Sequence, residues 1–284
     1  MLLRQLVTQW ARHTAQQKLY QAVSDTAQKG QPYSGESGIE LPKCDIVIAF
    51  GLGVESGGTV DLLQEAASTR CASFVEHSGN LQGHRVAVVE TGVGRQAALK
   101  AIDDIVALHH PSWIISAGFA GALRPEIRRG HILMPDEVVD VGHHRVEIDL
   151  HIDRETAASS RGLHIGRLLT VDQLIQSSED KRRLGEEHDA LACDMETMTI
   201  AEACRRKQIR FLAVRVVSDA LDDELPHEIE RMLNQKSLAA KLGAATGALF
   251  NRPSSIKDMW KLKEDALKAS DRLAKFLAGL IAQL

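Results

Sequence analysis

A carboxylate directly follows an apolar strand in the second half of the chain. Residues 210–217 form a mostly apolar run that leads into Ser218 and Asp219. An acid at the carboxyl end of a strand, beside apolar bulk, can keep its proton at neutral pH and act as a general acid. The alternative is that Asp219 caps a following helix. The pattern alone leaves both interpretations open.

A second carboxylate lies in a glycine-rich turn after another apolar strand. Residues 45–50 form this strand, and the glycines at 51, 53, 57 and 58 surround Glu55. A dinucleotide fingerprint does not fit, because Ser56 occupies the third glycine position. Open α/β sheets bind ligands at the carboxyl ends of their strands, which makes Glu55 a candidate site residue. The spacing by itself favours a solvated loop acid.

Two acids flank a methionine where a later helix is expected to begin. The segment is Asp194-Met195-Glu196, in otherwise apolar surroundings. Acids in the first turn suit the helix dipole, which is the simplest explanation. A carboxylate can also accept hydrogen bonds from two neighbouring sugar hydroxyls, and a methionine beside it offers an adaptable apolar surface.

Two further turns combine small residues with a strand end. Residues 90–95 include Thr91, which with the following amides could hold an anion or a sugar hydroxyl at a helix N-terminus. Residues 116–123 include Gly118, where a ligand or a second backbone could come close. Ordinary glycine turns would give the same two patterns.

The histidines and cysteines do not predict a metal site. None of the four cysteines forms a C-x-x-C pair or has a zinc-like spacing. The adjacent histidines at 109–110 and 143–144 cannot readily chelate one ion, because neighbouring side chains point in different directions. We interpret these histidines as surface residues, and we predict free thiols, no metal and no cofactor.

Alternating strands and helices must position these side chains. Their order indicates a mostly parallel sheet between helical layers. The predicted strands are 45–50, 85–89, 113–117, 131–134, 167–171 and 210–217. The predicted helices are 59–68, 94–109, 178–187, 194–206 and 228–250.

The two ends of the chain extend this α/β domain, which we place at residues 44–252. In residues 1–43, the apolar spacing predicts an amphipathic helix, and the Gly, Pro and Ser content predicts a linker after it. Residues 253–284 predict a long amphipathic helix that begins with a capping-box pattern. We expect this C-terminal helix to pack on its own domain; the alternative is a contact between subunits.

The composition excludes several classes of function. The chain has 284 residues, 44% of them hydrophobic, which is enough for a sizeable core. A net charge of -4 and only 4% aromatic residues argue against a nucleic-acid partner. No apolar run is long enough for a membrane span, and the N-terminus does not have the pattern of a signal peptide. We therefore expect a cytoplasmic protein.

Taken in order, these motifs resemble the 5′-methylthioadenosine/S-adenosylhomocysteine nucleosidases and their nucleoside phosphorylase relatives. The resemblance covers roughly residues 45–250, and its most specific parts are the segments at 194–196 and 214–219. It implies a three-layer α/β/α sandwich around a twisted, mostly parallel, partly closed sheet. It also implies a small nucleoside substrate and a homo-oligomer, with a dimer favoured.

The resemblance assigns a role to each candidate residue. Asp219 matches the acid that protonates the leaving base, and Glu55 matches the glutamate that activates water. Glu196 matches the carboxylate that grips the ribose hydroxyls, with Met195 packed against the sugar. Thr91 falls where the nucleosidases have a serine near the attacking water.

The base side of the expected site departs from the family pattern. Leu174 and Ile175 fall where the base is held, and the nucleosidases usually have an aromatic ring at the position of Leu174. This change weakens base stacking and leaves a preference for adenine open. Ser218 and Gly118 complete the expected substrate contacts.

Two further departures bear on the choice between hydrolysis and phosphorolysis. Hexameric phosphorylases have a phosphate-binding arginine where Ser116 stands and a phosphate-binding serine where Phe119 stands. Both absences favour hydrolysis, with Glu55 activating water. One alternative is a phosphorylase that uses Arg95 and backbone amides for phosphate. The other is a nucleoside-binding protein without activity on the same fold.

Overall fold

The computed structural model describes residues 43–150, 160–224 and 253–284, with side chains from residue 264 onward in the last segment. The predicted N-terminal helix and linker therefore lie outside the described residues, apart from residue 43. The helix predicted at 228–250 also lies outside them. Within this part of the chain, no helix is long and apolar enough to cross a membrane.

Ten strands and five helices make up the described part of the chain. The strands are β1 (Ile46–Phe50), β2 (Gln64–Arg70), β3 (Val75–Leu81), β4 (His84–Glu90), β5 (Trp113–Ala122), β6 (Ile132–Asp140), β7 (Arg145–Glu147), β8 (Leu163–Thr170), β9 (Ala192–Asp194) and β10 (Arg210–Asp219). The helices are α1 (Gly53–Val60), α2 (Arg95–His109), α3 (Ser178–His188), α4 (Thr197–Lys207) and α5 (Pro253–Ile281).

The strands form one mixed sheet that closes on itself. Its order is β10-β6-β8-β9-β5-β1-β4-β3-β2, and β10 also pairs with β5, so that β5, β10, β6, β8 and β9 make a closed ring. Strand β1 pairs in parallel with β4 and β5, whereas β9 pairs antiparallel with β5. The expected partial closure is present, but the prediction of a mostly parallel sheet in a three-layer sandwich is wrong. A mixed sheet with a barrel takes its place.

The error comes from strands that the hydrophobic pattern does not reveal. The hairpin β2–β3 adds two antiparallel pairings beside β4. Strand β2 is polar and mostly exposed, and the helix that the sequence predicts at 59–68 overlaps its first five residues. Strands β7 and β9 have three residues each, too few for a periodic signal.

The central strand β1 shows why the sequence pattern succeeds elsewhere. All five of its residues are buried. Ile46, Ile48 and Phe50 pack into one hydrophobic cluster, and Val47 and Ala49 pack into a second one. A strand that is covered on both sides is expected to be a continuous apolar run, as this one is.

The C-terminal helix α5 packs on the domain that carries the candidate site, as predicted. Leu273, Leu277 and Ile281 are fully buried in the larger core cluster. The hydroxyl of Ser270 accepts the backbone N–H of Gly58 at 2.9 Å and donates to the carbonyl oxygen of Glu55 at 3.0 Å. Helix α5 therefore supports the short helix that carries Glu55.

Candidate active site

Glu55 and Glu196 lie together at the carboxyl end of β1. Gly51, the first residue after this strand, is next to both: a Cβ built there would be 3.3 Å from Oε2 of Glu55 and 3.7 Å from Oε1 of Glu196. Glu55 comes from helix α1, and Glu196 directly precedes helix α4. Two carboxyl groups that are far apart in sequence thus meet at one edge of the sheet. We call this region the carboxylate end of the site.

Two backbone amides hold the side chain of Glu55. Oε1 accepts the N–H of Phe119 and Oε2 accepts the N–H of Leu52, both at 2.8 Å. A Cβ on Gly118 would lie 3.0 Å from Oε1, so the carboxylate could not approach β5 this closely if residue 118 had a side chain. Gly118 therefore lies next to Glu55, and its expected contact with a substrate stays a prediction.

The two acids at 194 and 196 have different roles in the structure. The buried carboxylate of Asp194 accepts the N–H of Thr197 at 3.0 Å and that residue's hydroxyl, which caps α4. It also pairs with Arg215 at 2.8 Å. Glu196 instead accepts the N–H of Gly94, at 2.7 Å, from the turn before α2. Asp194 therefore stabilises the start of helix α4, as the simplest explanation of these acids predicts. Glu196 instead lies at the carboxylate end of the site.

The carboxylate end favours protonated acids. Burial raises the pKa of Glu55, although the amide of Phe119 and the charge of Arg215 oppose the shift. Burial, followed by the negative charges of Asp194 and Glu55, raises the pKa of Glu196 to about 8. Acids placed in this way can change protonation state near neutral pH.

Asp219 lies at the far end of β10 in a different environment. Its Oδ2 accepts a hydrogen bond from Nζ of Lys181 at 2.6 Å, and its Oδ1 accepts one from the hydroxyl of Ser218 at 2.7 Å. A Cβ on Gly121 of β5 would lie 3.0 Å from Oδ2. Gly121 is three residues after Gly118, the neighbour of Glu55, which places the two glycines about 10 Å apart along β5. We call Asp219, Ser218 and Lys181 the ion-pair end of the site.

An apolar cluster adjoins the ion-pair end. Ile175 and Met195 both pack on the buried cluster that includes Leu169 and Cys193. Burial, together with the nearby charge of Asp219, raises the pKa of Cys193 to about 12. Leu174, next to Ile175 in the chain, is half-buried. Ile175, expected at the base, and Met195, expected at the sugar, therefore pack on one apolar cluster near Asp219, whereas only partial burial is shown for Leu174.

Comparison with known proteins assigns this chain to a family. The model of the phosphorylase superfamily matches residues 45–251. The chain belongs to the phosphorylase superfamily. The match spans more than half of the chain and includes the three acids, Glu55, Glu196 and Asp219, that the site brings to β1, β5 and β10.

Individual relatives within the phosphorylase superfamily are distant. A 5′-methylthioadenosine/S-adenosylhomocysteine nucleosidase of Colwellia psychrerythraea is 26% identical over 198 residues, which cover 60% of this chain and 82% of the relative. The S-adenosylhomocysteine nucleosidase of Streptococcus pyogenes has a TM-score of 0.65 at 17% identity, covering 88% of this chain and 99% of that one. The futalosine hydrolase of Helicobacter pylori has a TM-score of 0.64 at 17% identity, covering 84% and 97%. The two solved structures establish the shared fold.

Two arginines of this superfamily member near the carboxylate end, Arg95 and Arg215, contact other residues of the protein. Arg95 lies 3.4 Å from a carboxylate oxygen of Asp172 and 3.8 Å from one of Asp140. The buried Arg215 donates to Asp194 and, at 2.7 Å, to the hydroxyl of Ser116. Position 116 therefore supports the structural arginine at 215, which the sequence analysis had not singled out.

Thr91 lies beside the carboxylate end but is turned toward the backbone. It is buried, and its hydroxyl donates to the carbonyl oxygen of Phe50 at 3.1 Å. Phe50 is the last residue of β1, directly before the turn that leads to Glu55. The expected contact between Thr91 and a substrate water stays a prediction.

A buried cluster away from the site corrects one sequence interpretation. His109 is 2% exposed, not a surface residue, and its Nε2 lies 3.0 Å from Oε2 of Glu76. Burial would lower the pKa of His109, but hydrogen bonds with Cys44 and Glu76 raise it to about 9. Ligand-type atoms of these three side chains lie within 4.8 Å of one another. His109, the last residue of α2, thus contacts Glu76 of strand β3. A pair of adjacent histidines in a sequence does not indicate this contact.

Proposed function

We propose that this chain hydrolyses the N-glycosidic bond of a purine nucleoside that carries a 5′ substituent. The observation that supports this most strongly is the contrast between the two ends of the site. Glu55 and Glu196, whose pKa values are raised, lie at one end, and Asp219 in its ion pair lies beside Gly121, three residues farther along β5 than the glycine next to Glu55. The relatives named as nucleosidases support the same reaction class.

The reaction needs a proton acceptor on one side of the sugar and a proton donor on the other. Breaking the bond between C1′ and the base builds positive charge on the sugar and negative charge on the base. Glu55 takes a proton from the attacking water, and Asp219 delivers a proton to the leaving base. Each such transfer contributes typically about 10²–10⁴-fold to the rate. Two carboxyl groups on opposite sides of a glycosidic carbon follow the logic of inverting glycosidases.

The remaining candidate residues bind the substrate in this proposal. Glu196 accepts hydrogen bonds from the ribose hydroxyls, and Met195 packs against the sugar. Ile175 and Leu174 hold the base, and the absence of an aromatic ring at Leu174 makes base stacking weaker. Ser218 orients the carboxylate of Asp219, to which it donates at 2.7 Å.

Hydrolysis is favoured over phosphorolysis because the arginines near the carboxylate end already have partners. A phosphate dianion in a closed pocket needs positive charge and donors in place of its water. Arg95 faces Asp172 and Asp140, and Arg215 is buried against Asp194. Glu55 would in addition repel the anion from the position of the attacking water.

Base release from a nucleoside panel tests the proposal. The panel contains adenosine, inosine, 5′-methylthioadenosine and S-adenosylhomocysteine, each with and without phosphate. We expect free base without phosphate and no sugar 1-phosphate. Release that requires phosphate would replace hydrolysis with phosphorolysis. Binding without release in any reaction would indicate a nucleoside-binding protein.

We also propose that the chain forms a homodimer and works in the cytoplasm. The dimer is what the resemblance to the nucleosidases implies. None of the four cysteines, all of which the structure describes, forms a disulfide, which is expected of a reducing compartment. Light scattering on the full chain tests the first proposal: a mass of one chain would contradict it.

A further inference from the structure

Lys181 is a buried lysine on helix α3, and the two arginines that follow it are exposed. Its side chain is 0% exposed, whereas those of the adjacent Arg182 and Arg183 are 53% and 60% exposed. A lysine is almost never fully buried unless it is paired. Its partner is Asp219, with Nζ 2.6 Å from Oδ2. The helix therefore directs one of three consecutive basic residues inward, toward the expected catalytic acid.

Every donor of this ammonium group has an acceptor. Besides Asp219, Nζ donates to the carbonyl oxygen of Ala220 at 3.0 Å and to that of Asp223 at 2.9 Å. An ammonium group has three N–H donors, so the set is complete. Lys181 thus fixes both the carboxylate of Asp219 and the turn that follows it.

We propose that Lys181 is the positioning residue of Asp219 and the source of the proton that Asp219 passes to the leaving base. This inference rests on the proposed hydrolysis. When the bond to C1′ breaks, its electron pair stays on the base. One proton moves from Nζ of Lys181 to Asp219, and one moves from Asp219 to the base. Asp219 ends as a carboxylate, and the neutral amine of Lys181 regains a proton from solvent after the base has left.

The geometry supports a shared proton because the contact is short and shielded from water. Asp219 is 6% exposed, and its other oxygen is held by Ser218 at 2.7 Å. Charge-assisted hydrogen bonds in such surroundings are the strong ones. Lys181 and Asp219 therefore act as one proton-donating unit. Replacing either residue removes the activity of both.

Three variants test this unit: Lys181→Met, Asp219→Asn and the double variant. Lys181→Met keeps an unbranched side chain but removes the proton, and we expect kcat on a cleavable purine nucleoside to fall about 10²-fold, as for loss of a general acid. We expect KM to change little, because Lys181 contacts Asp219 and not the substrate. Arg182→Met, which removes an exposed cation from the same helix, is the matched control and should behave like the wild type.

The double variant keeps the test decisive if Lys181→Met does not fold. Removing both partners leaves no unpaired charge, so the double variant should fold at least as well as Asp219→Asn. If Lys181 acts only through Asp219, the double variant and Asp219→Asn have the same kcat within about threefold, because coupled residues are not additive. A further tenfold loss in the double variant, or near-normal kcat in folded Lys181→Met, would overturn the role of Lys181. Wild-type protein without any base release would instead contradict the proposed hydrolysis.

Discussion

The carboxylate end and the ion-pair end of the site use the same chemical group in opposite surroundings. At the carboxylate end, Glu55 and Glu196 have backbone amides as their direct hydrogen-bond partners. At the ion-pair end, Asp219 has a lysine ammonium group and a serine hydroxyl as direct partners. In the first arrangement, burial and neighbouring negative charge raise the pKa values of the two glutamates, although the amide hydrogen bonds lower them. The second places a proton donor in contact with a carboxylate.

This difference shows how one sheet can hold one carboxyl group as a proton acceptor and another as a proton donor. A buried acid near other negative charges gains a proton easily, so it can accept one from water during the reaction. A carboxylate that touches an ammonium group has a proton available for a leaving group. The burial and the neighbours of each acid therefore matter more for its role than the residue type.

Replacing Glu55 should have the largest effect, because it removes the proton acceptor. We expect Glu55→Gln to lower kcat at least about 10³-fold, within the range of general acid–base catalysis. The change also disturbs the backbone, since the amide of Gln has one acceptor for the N–H groups of Leu52 and Phe119, which Glu55 now accepts separately. Nucleoside affinity, measured by calorimetry, should stay within about tenfold of wild type. A folded variant with near-normal kcat would remove Glu55 from the mechanism.

Asp219→Asn should have the next largest effect and should disturb its surroundings differently. Its carbonyl oxygen can face Lys181 and its amide can face Ser218, so both contacts have a partner. We expect a loss of at least about 10²-fold in kcat, the low end of general acid catalysis. Steady-state kinetics on the nucleoside cleaved best by wild type, with a melting curve as the control for folding, provides the measurement. Turnover within a factor of about three of wild type would contradict a proton-donor role.

The two ends also differ in how far the sequence predicts them. Glu55, Glu196 and Asp219 follow strands or begin helices, and strand ends can be located from apolar runs such as residues 45–50 and 210–217. Lys181 cannot be found in this way. It stands in Lys181-Arg182-Arg183, and only the packing of α3 shows which of the three is buried.

The fold has the same limit. The buried strands β1, β4 and β5 are predicted because burial on both faces selects continuous apolar residues. The polar β2 and the three-residue β7 and β9 carry no such signal. Most pairings of these three strands are antiparallel, apart from that of β9 with β8, so the sequence misses much of the antiparallel part of the sheet.

Glu196→Gln should have a smaller effect that depends on the sugar. Gln keeps an acceptor for the N–H of Gly94 but loses the charge that strengthens hydrogen bonds to ribose hydroxyls. The difference between a charged and a neutral hydrogen bond is about 1.4 kcal/mol, or roughly tenfold. Because burial raises the pKa of Glu196 to about 8, we expect about a tenfold lower kcat/KM on ribosides above that pH, with a smaller loss on 2′-deoxyribosides. Equal losses on both sugars would mean that Glu196 does not grip the ribose.

The pH profile should give the smallest effect and the finest comparison of the two ends. Glu55 must be ionised to take a proton from water, and burial raises its pKa. An acid with a raised pKa gains its base form at higher pH, so kcat/KM should increase with pH over the range above the ordinary pKa of a glutamate. This increase belongs to the carboxylate end, where Asp194, Glu196 and Arg215 are the neighbouring charges. Asp219→Asn should therefore keep the same rise at a lower absolute rate. A wild-type profile that is flat or falls over this range would show that no acid with a raised pKa limits the reaction, and the assignment of Glu55 as the base would fail even if Glu55→Gln were inactive.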